Sequence, residues 1–180
     1  MKTTPFAMLA AAMLLTGCQS LNPNPYANGR SEAFRAHLGQ PIAPAAIVLA
    51  PINLARANDP VMRNFIGTVA RELARLGFTP VADVGRAELL GTVVVASGSA
   101  ADIAGNAPAG LRGLTTLGPG PATGLMVEIR RRSDRSIIWQ GRSATLRMAP
   151  GGDISMLAGP LAQSLFLGFP GLSGRTIRTP

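Results

Sequence analysis

Between Asp59 and Gly77 the chain carries a helix signature whose one-sided apolar pattern dictates what the remaining segments must supply. Asp59 is a capping residue, Pro60 suits the first helical position, and Gly77 can close the end in a left-handed conformation. Met62, Ile66, Val69, Leu73 and Leu76 recur at 3.6-residue spacing, while Arg63, Asn64, Arg71, Glu72 and Arg75 fall largely on the other side. Gly67 weakens this helix by ~1 kcal/mol relative to Ala, so packing must hold it. A single apolar stripe requires one apolar surface to lie on.

Flanking segments read as the sheet that provides it. The run from Ala45 to Ile52, centred on Ile47-Val48-Leu49, has the character of a buried first strand. Phe78 to Val81 predicts a short strand, and Leu89 to Ser97, with Thr92-Val93-Val94-Val95, a longer one. Further on, Leu125, Val127 and Ile129 alternate with Met126, Glu128 and Arg130; Ser133-Asp134-Arg135-Ser136 supplies turn residues, and Ile137 to Met148 returns, predicting an antiparallel hairpin with a basic tip. The face taken by Trp139 stays open, because Ile137 and Ile138 are both apolar. A last helix is predicted over Asp153 to Leu167, with Ile154, Leu157, Leu161 and Leu165 on one side and Gly168 before Phe169-Pro170 as its stop. Either it kinks at Pro160, or a separate turn precedes a shorter helix with Pro160 in its first turn. The tail from Gly171 to Pro180 reads as loose, with Ile177 available for an edge contact.

Two stretches are read as irregular. Residues 18–40, containing Asn22-Pro23-Asn24-Pro25, have no sustained apolar period and predict a tether. Residues 98–123 are crowded with Gly, Ala and Pro and are too long for an ordinary loop, so flexibility is expected there. The single domain is then 41–180.

The start of the chain has a signal-peptide layout: Met1-Lys2, an apolar stretch from Phe6 to Leu15, then Leu15-Thr16-Gly17-Cys18. Spanning a bilayer takes ~20 apolar residues, and this stretch is about half that, so it is expected to be removed over residues 1–17. The ending Leu-Thr-Gly-Cys resembles the lipobox of bacterial lipoproteins. That resemblance implies a diacylglyceryl group on the Cys18 thiol, cleavage before it, and an amino-terminal acyl chain of the palmitate kind. A single acyl chain holds a protein only marginally, each buried methylene contributing ~0.8 kcal/mol, whereas two or three anchor it stably. Gln19, in place of the aspartate that resembles an inner-membrane retention signal, favours the periplasmic face of the outer membrane. Cys18 is the only cysteine, so the mature chain has no disulfide and its core must suffice.

Charge narrows the partners. The net charge is +8, and Lys2 is the only lysine, so beyond the signal peptide every side-chain positive charge is arginine. Such a balance suits anionic lipid headgroups, lipopolysaccharide phosphates or nucleic acid. Arginine-rich codon usage in a GC-rich genome, which the abundance of Ala, Gly and Pro also suggests, is the simpler reading, and an anchor facing the periplasm argues against nucleic acid. Catalytic triads and metal sites need histidine, cysteine or clustered carboxylates. Here the one histidine, His37, falls in the tether, the one cysteine is the lipid site, and Asp59, Asp83, Glu88, Asp102, Glu128, Asp134 and Asp153 are scattered. No catalytic residue, metal or cofactor is therefore assigned. Gly118-x-Gly120-x-x-x-Gly124 superficially evokes a phosphate loop, but it lacks a Walker lysine and the strand and helix that should flank it. The one suggestive cluster is Arg130, Arg131, Arg132 and Arg135, whose guanidinium forks could grip an anionic ligand. Alternation nonetheless sends neighbouring side chains to opposite faces, and a solvated hairpin tip is the simpler reading.

Leu73-x-x-Leu76-Gly77-Phe78 closing a helix, Ile138-Trp139-Gln140-Gly141, and Phe169-Pro170-Gly171-Leu172-Ser173-Gly174 together resemble the bacterial lipoproteins of the domain of unknown function 4136 family, over about Pro41 to Pro180. Ala87-Glu88-Leu89 departs from the Ala-Asp usual there. The resemblance implies an α+β fold, a two-layer α/β sandwich with two helices on one face of a mainly antiparallel sheet of about five strands, and it implies no chemistry. The count of two helical stripes and about five strands favours the same architecture. The functional expectation is a membrane-anchored lipoprotein of the cell envelope, non-catalytic, serving interaction or assembly with envelope proteins. The alternatives are a binder of anionic envelope lipid through the arginine-rich hairpin, and a hydrolase with a carboxylate site formed only by folding.

Overall fold

The computed structural model describes residues 31–37, 39, 41–99, 121–146 and 153–179. In chain order these form β1 (Ser31–His37), β2 (Ala46–Pro51), α1 (Pro60–Arg75), β3 (Thr79–Pro80), β4 (Leu89–Ser99), β5 (Pro121–Arg131), β6 (Ile137–Leu146), α2 (Ala158–Phe166) and β7 (Arg175–Thr179). The strands make one sheet in the order β3-β2-β4-β5-β6-β1-β7. The fold is α+β, as expected, but the sheet is mixed: β2 runs parallel to β3 and to β4, and the remaining neighbours are antiparallel. Instead of about five strands there are six longer ones and a two-residue seventh, β3.

The extra strands lie at the ends of the described chain. Residues 31–37, read from the sequence as the end of a tether, form β1 between β6 and β7, and Ile177 belongs to β7. β1 escapes a periodicity search because Glu32 and Arg35, charged residues expected in solvent, are both buried. β4 reaches Ser99 and β5 begins at Pro121, so both ends of the stretch read as a loop over 98–123 are strand, while 100–120 lie outside the described residues.

α1 follows its sequence signals. Asp59 Oδ1 accepts from the Val61 amide at 2.9 Å. At the other end Gly77, with φ +92°, lets the amides of Gly77 and Phe78 bond back to the carbonyls of Ala74 and Leu73. Burial falls on Met62, Phe65, Thr68, Val69 and Leu73, with Ile66 and Leu76 only partly covered. The helix packs on both the sheet and α2, which spreads burial beyond one stripe. Of the two readings of the last helix, the shorter holds: Asp153 caps a 3-10 turn over Ile154–Leu157, and Pro160 sits in the first turn of α2.

Both helices share one face of the sheet, and Trp139, fully buried, centres that layer. Its ring stacks on Phe166 with centroids 5.4 Å apart, and its Nε1 donates to the Pro170 carbonyl at 3.0 Å. Two residues along the same face, Gly141 leaves the necessary space, since a Cβ there would lie 2.3 Å from the indole and 2.7 Å from Leu165 Cδ1. The last turn of α2 is held from β1, where Arg35 Nε donates to the Leu165 carbonyl at 2.8 Å and Nη2 to that of Ser164 at 2.6 Å. This places a cation at a helix C-terminus with its orphan carbonyls satisfied; desolvation lowers the Arg35 pKa from its ordinary value. His37, assigned to the tether by sequence, stands on β1 with Nε2 3.0 Å from the Gly171 carbonyl.

The other sheet face, on which neither α1 nor α2 packs, carries a smaller buried cluster of Phe34, Val94 and Met126. Beside it Arg142 Nη2 donates to Glu32 Oε1 at 3.1 Å, with both side chains buried. Desolvation lowers the Arg142 pKa and the Glu32 carboxylate opposes that shift. Removing one partner leaves an uncompensated buried charge, so Arg142→Met should cost about 3 kcal/mol, and adding Glu32→Leu should recover most of it; urea unfolding of the single and double variants measures both. Gly141→Ala should cost about 1–3 kcal/mol through overpacking against Trp139, seen as a lowered Tm together with altered Trp139 fluorescence.

Candidate functional site

The predicted arginines are near in sequence, but the β5–β6 hairpin divides them, with Arg131 and Arg132 lining a cleft that Arg130 and Arg135 do not reach. Its register slips between Ile129 and Arg130, which pair with Trp139 and Ile137 respectively, leaving Ile138 unpaired. That irregularity explains two consecutive apolar residues: Trp139 and Ile138 join the main core, while Ile137 is exposed. Arg130 lies with Glu128 on the face away from the helices; its Nε donates to Glu128 Oε1, and Gln140 Nε2 donates to Oε2 of the same carboxylate. Arg131 is tied into the turn, where its Nη1 donates to Asp134 Oδ2 at 3.2 Å and to Ser136 Oγ at 3.3 Å. Arg135 occupies the tip with a left-handed backbone, φ +59°, and its carbonyl accepts from Arg130 Nη1. Arg132 is fixed by its main chain, whose amide donates to the Glu88 carbonyl at 2.8 Å. Among the described residues its guanidinium has no hydrogen-bond or ion-pair partner.

Where Arg131 and Arg132 leave the sheet, a cleft of about 750 Å³ opens. The 41–45 segment forms one wall, Leu89 and Ile138 contribute apolar surface, and Glu88, Arg131, Arg132 and Ser133 bring polar groups. Pro44 is braced by Gly77 at the end of α1, where a Cβ would come within 3.3 Å of the proline ring. Sequence reasoning singled out Arg131 and Arg132, but it missed the 41–45 segment, Glu88 and Leu89 as their companions. No short motif spans four stretches of chain that meet only in the fold. Arg130 and Arg135 do not line the cleft, and Cys18 lies outside the described residues.

Carboxylates in the described part are dispersed. The cleft holds one, Glu88, while Glu128 and Glu32 each engage an arginine on the opposite sheet face. Among the described residues no three His, Cys, Asp or Glu side chains gather as a metal set would require. Of the sequence Gly118-x-Gly120-x-x-x-Gly124, the first two glycines lie outside the described residues and Gly124 is a buried residue of β5.

No family model and no curated protein matches the sequence. Solved structures do resemble it in fold. A PDZ domain protein from Parabacteroides distasonis aligns with TM-score 0.57 at 10% identity over 86% of this chain, which spans only 40% of that protein. A DUF4136 family protein from Bacteroides thetaiotaomicron aligns with TM-score 0.52 at 11% identity, covering 79% of this chain and 97% of that one. These likenesses establish a shared fold. One of the two proteins belongs to the family whose motifs the sequence resembles.

The turn's geometry depends on Asp134. Oδ1 accepts from the Ser136 amide at 2.9 Å and from its hydroxyl at 2.6 Å. The Ser136 hydroxyl and amide, with Arg131, hold the Asp134 pKa down to about 2. A depressed carboxyl pKa contributes stability that is present above its unfolded value and lost as pH falls through the folded one. The tip should therefore stay intact down to about pH 4 and loosen between about pH 4 and pH 2. The check is the Ser136 amide resonance across that range, and Asp134→Asn should leave it insensitive to pH there.

Proposed function

We propose that this chain is a lipid-anchored protein of the cell envelope, related to the domain of unknown function 4136 lipoproteins, whose α/β domain acts by binding rather than by catalysis. The observation that carries the reading is the sequence Leu15-Thr16-Gly17-Cys18, placed directly after an apolar run and 13 residues before β1. A fold shared with a DUF4136 family protein supports the kinship. With Gln19 following the acylated cysteine, the anchored domain faces the periplasm from the outer membrane. There it takes part in interaction or envelope assembly.

Support for binding over turnover comes from how the polar groups are used. Arg35, Arg142, Glu32 and Glu128 are engaged in holding helix ends and sheet faces, and the cleft combines apolar wall with basic rim. That is an arrangement for recognition.

Labelled palmitate fed to cells making the full chain should enter the protein, and the mature species should begin at an acylated Cys18. Cys18→Ser should abolish labelling and cleavage at that bond. A Cys18→Ser chain that is still cut after Gly17 and still acylated would refute the anchor. Turnover by the purified chain that disappears on a single substitution in the cleft would refute the binding role.

A further inference from the structure

The cleft at the hairpin end has the chemistry of a site for an amphiphile. Its volume, about 750 Å³, falls within the roughly 300–1,000 Å³ of small-molecule sites. Along the 41–45 wall Pro41 and Pro44 have no amide hydrogen to donate, so the wall presents mostly hydrocarbon, joined by buried Leu89 and half-buried Ile138. An extended peptide finds no edge to extend here, because Leu89 is already paired on both sides, with Ile47 of β2 and Arg131 of β5. The site therefore offers an apolar wall beside a polar rim, with no free ladder at Leu89.

Charge at its mouth is selective. Arg131 is already neutralised by Asp134. Arg132 has its backbone fixed on Glu88 and its guanidinium exposed and without a partner among the described residues. Such a fork is suited to bidentate grip of an oxyanion, and the exposed Ser133 hydroxyl beside it can donate. Glu88 on the same rim repels a second negative charge.

We propose that this cleft binds a lipid with a singly charged phosphodiester head, Arg132 gripping the head and the first methylenes of the tail lying between the 41–45 wall and Ile138. The proposal rests on the binding role argued above but is independent of the anchor, so acylation of Cys18 and occupancy of the cleft succeed or fail separately.

The test uses the full chain carrying Cys18→Ser, titrated with dihexanoyl phosphatidylglycerol below its micellar concentration and followed through the methyl resonances of Ile42, Leu89 and Ile138. Saturable shifts are expected. Arg132→Gln, at an exposed side chain, should weaken binding about tenfold, the scale of one charge-assisted contact, and Ile42→Ser should weaken it through the tail. Dihexanoyl phosphatidylcholine should bind more weakly than the phosphatidylglycerol, and inorganic phosphate should leave the methyl resonances unmoved. Three results overturn the proposal: no saturable shift with the anionic lipid, an affinity unchanged in both variants, or inorganic phosphate reproducing the shifts, which would mark a plain anion site. Circular dichroism and retained Trp139 fluorescence confirm that each variant is folded.

Discussion

The seat of the Trp139 indole governs how the helical layer rests on the sheet. It is wedged against Phe166 and Phe169, donates to the Pro170 carbonyl, and uses the volume that Gly141 leaves vacant. Arg35 reaches the same region from β1 and takes up the last carbonyls of α2, so a ring and a missing methyl on β6 and a guanidinium on β1 fix one helix end from two neighbouring strands. α1 is then located against α2, with Asn64 donating to the Ser155 carbonyl. Gly77 at the close of α1 packs on Pro44, which sets one wall of the cleft. The site is thus downstream of core packing.

Arginine serves three distinct physical ends in this fold. Arg142 is buried and opposed by a carboxylate, and Arg35 is buried and opposed by helix carbonyls. Arg130 and Arg131 stabilise the hairpin locally through Glu128 and Asp134. Net charge therefore overstates how much cationic surface is available to a ligand. Only the arginines left over after folding has used the rest are available to a ligand.

What could be read from the sequence tracks where local chemistry decides structure. The bounds of α1 were legible because Asp59, Pro60 and Gly77 act within a few residues of themselves, and the β5–β6 hairpin because its alternation and its Ser133–Ser136 turn agree. β1 was not, since burial of Glu32 and Arg35 depends on Arg142 and on the α2 carbonyls, both more than a hundred residues away. Parallel pairing of β2 with β4 likewise follows from the crossover through α1, not from either strand's composition. In the cleft, Arg131 and Arg132 were visible as a run of charge. Their separation from Arg130 and Arg135 was hidden, because it depends on a slip in register at Ile138 and on the contacts of the turn.

β1 lies between β6 and β7, with Ser31 opposite Thr145 on one side and Thr179 on the other. Bringing such distant stretches together costs loop-closure entropy that nearby contacts do not. Among the described strands, the earliest to emerge during synthesis must therefore wait, unpaired, for the last two to arrive. A chain cut short before β6 would strand β1 with neither neighbour, so completeness of the carboxyl end is what licenses order at the amino end.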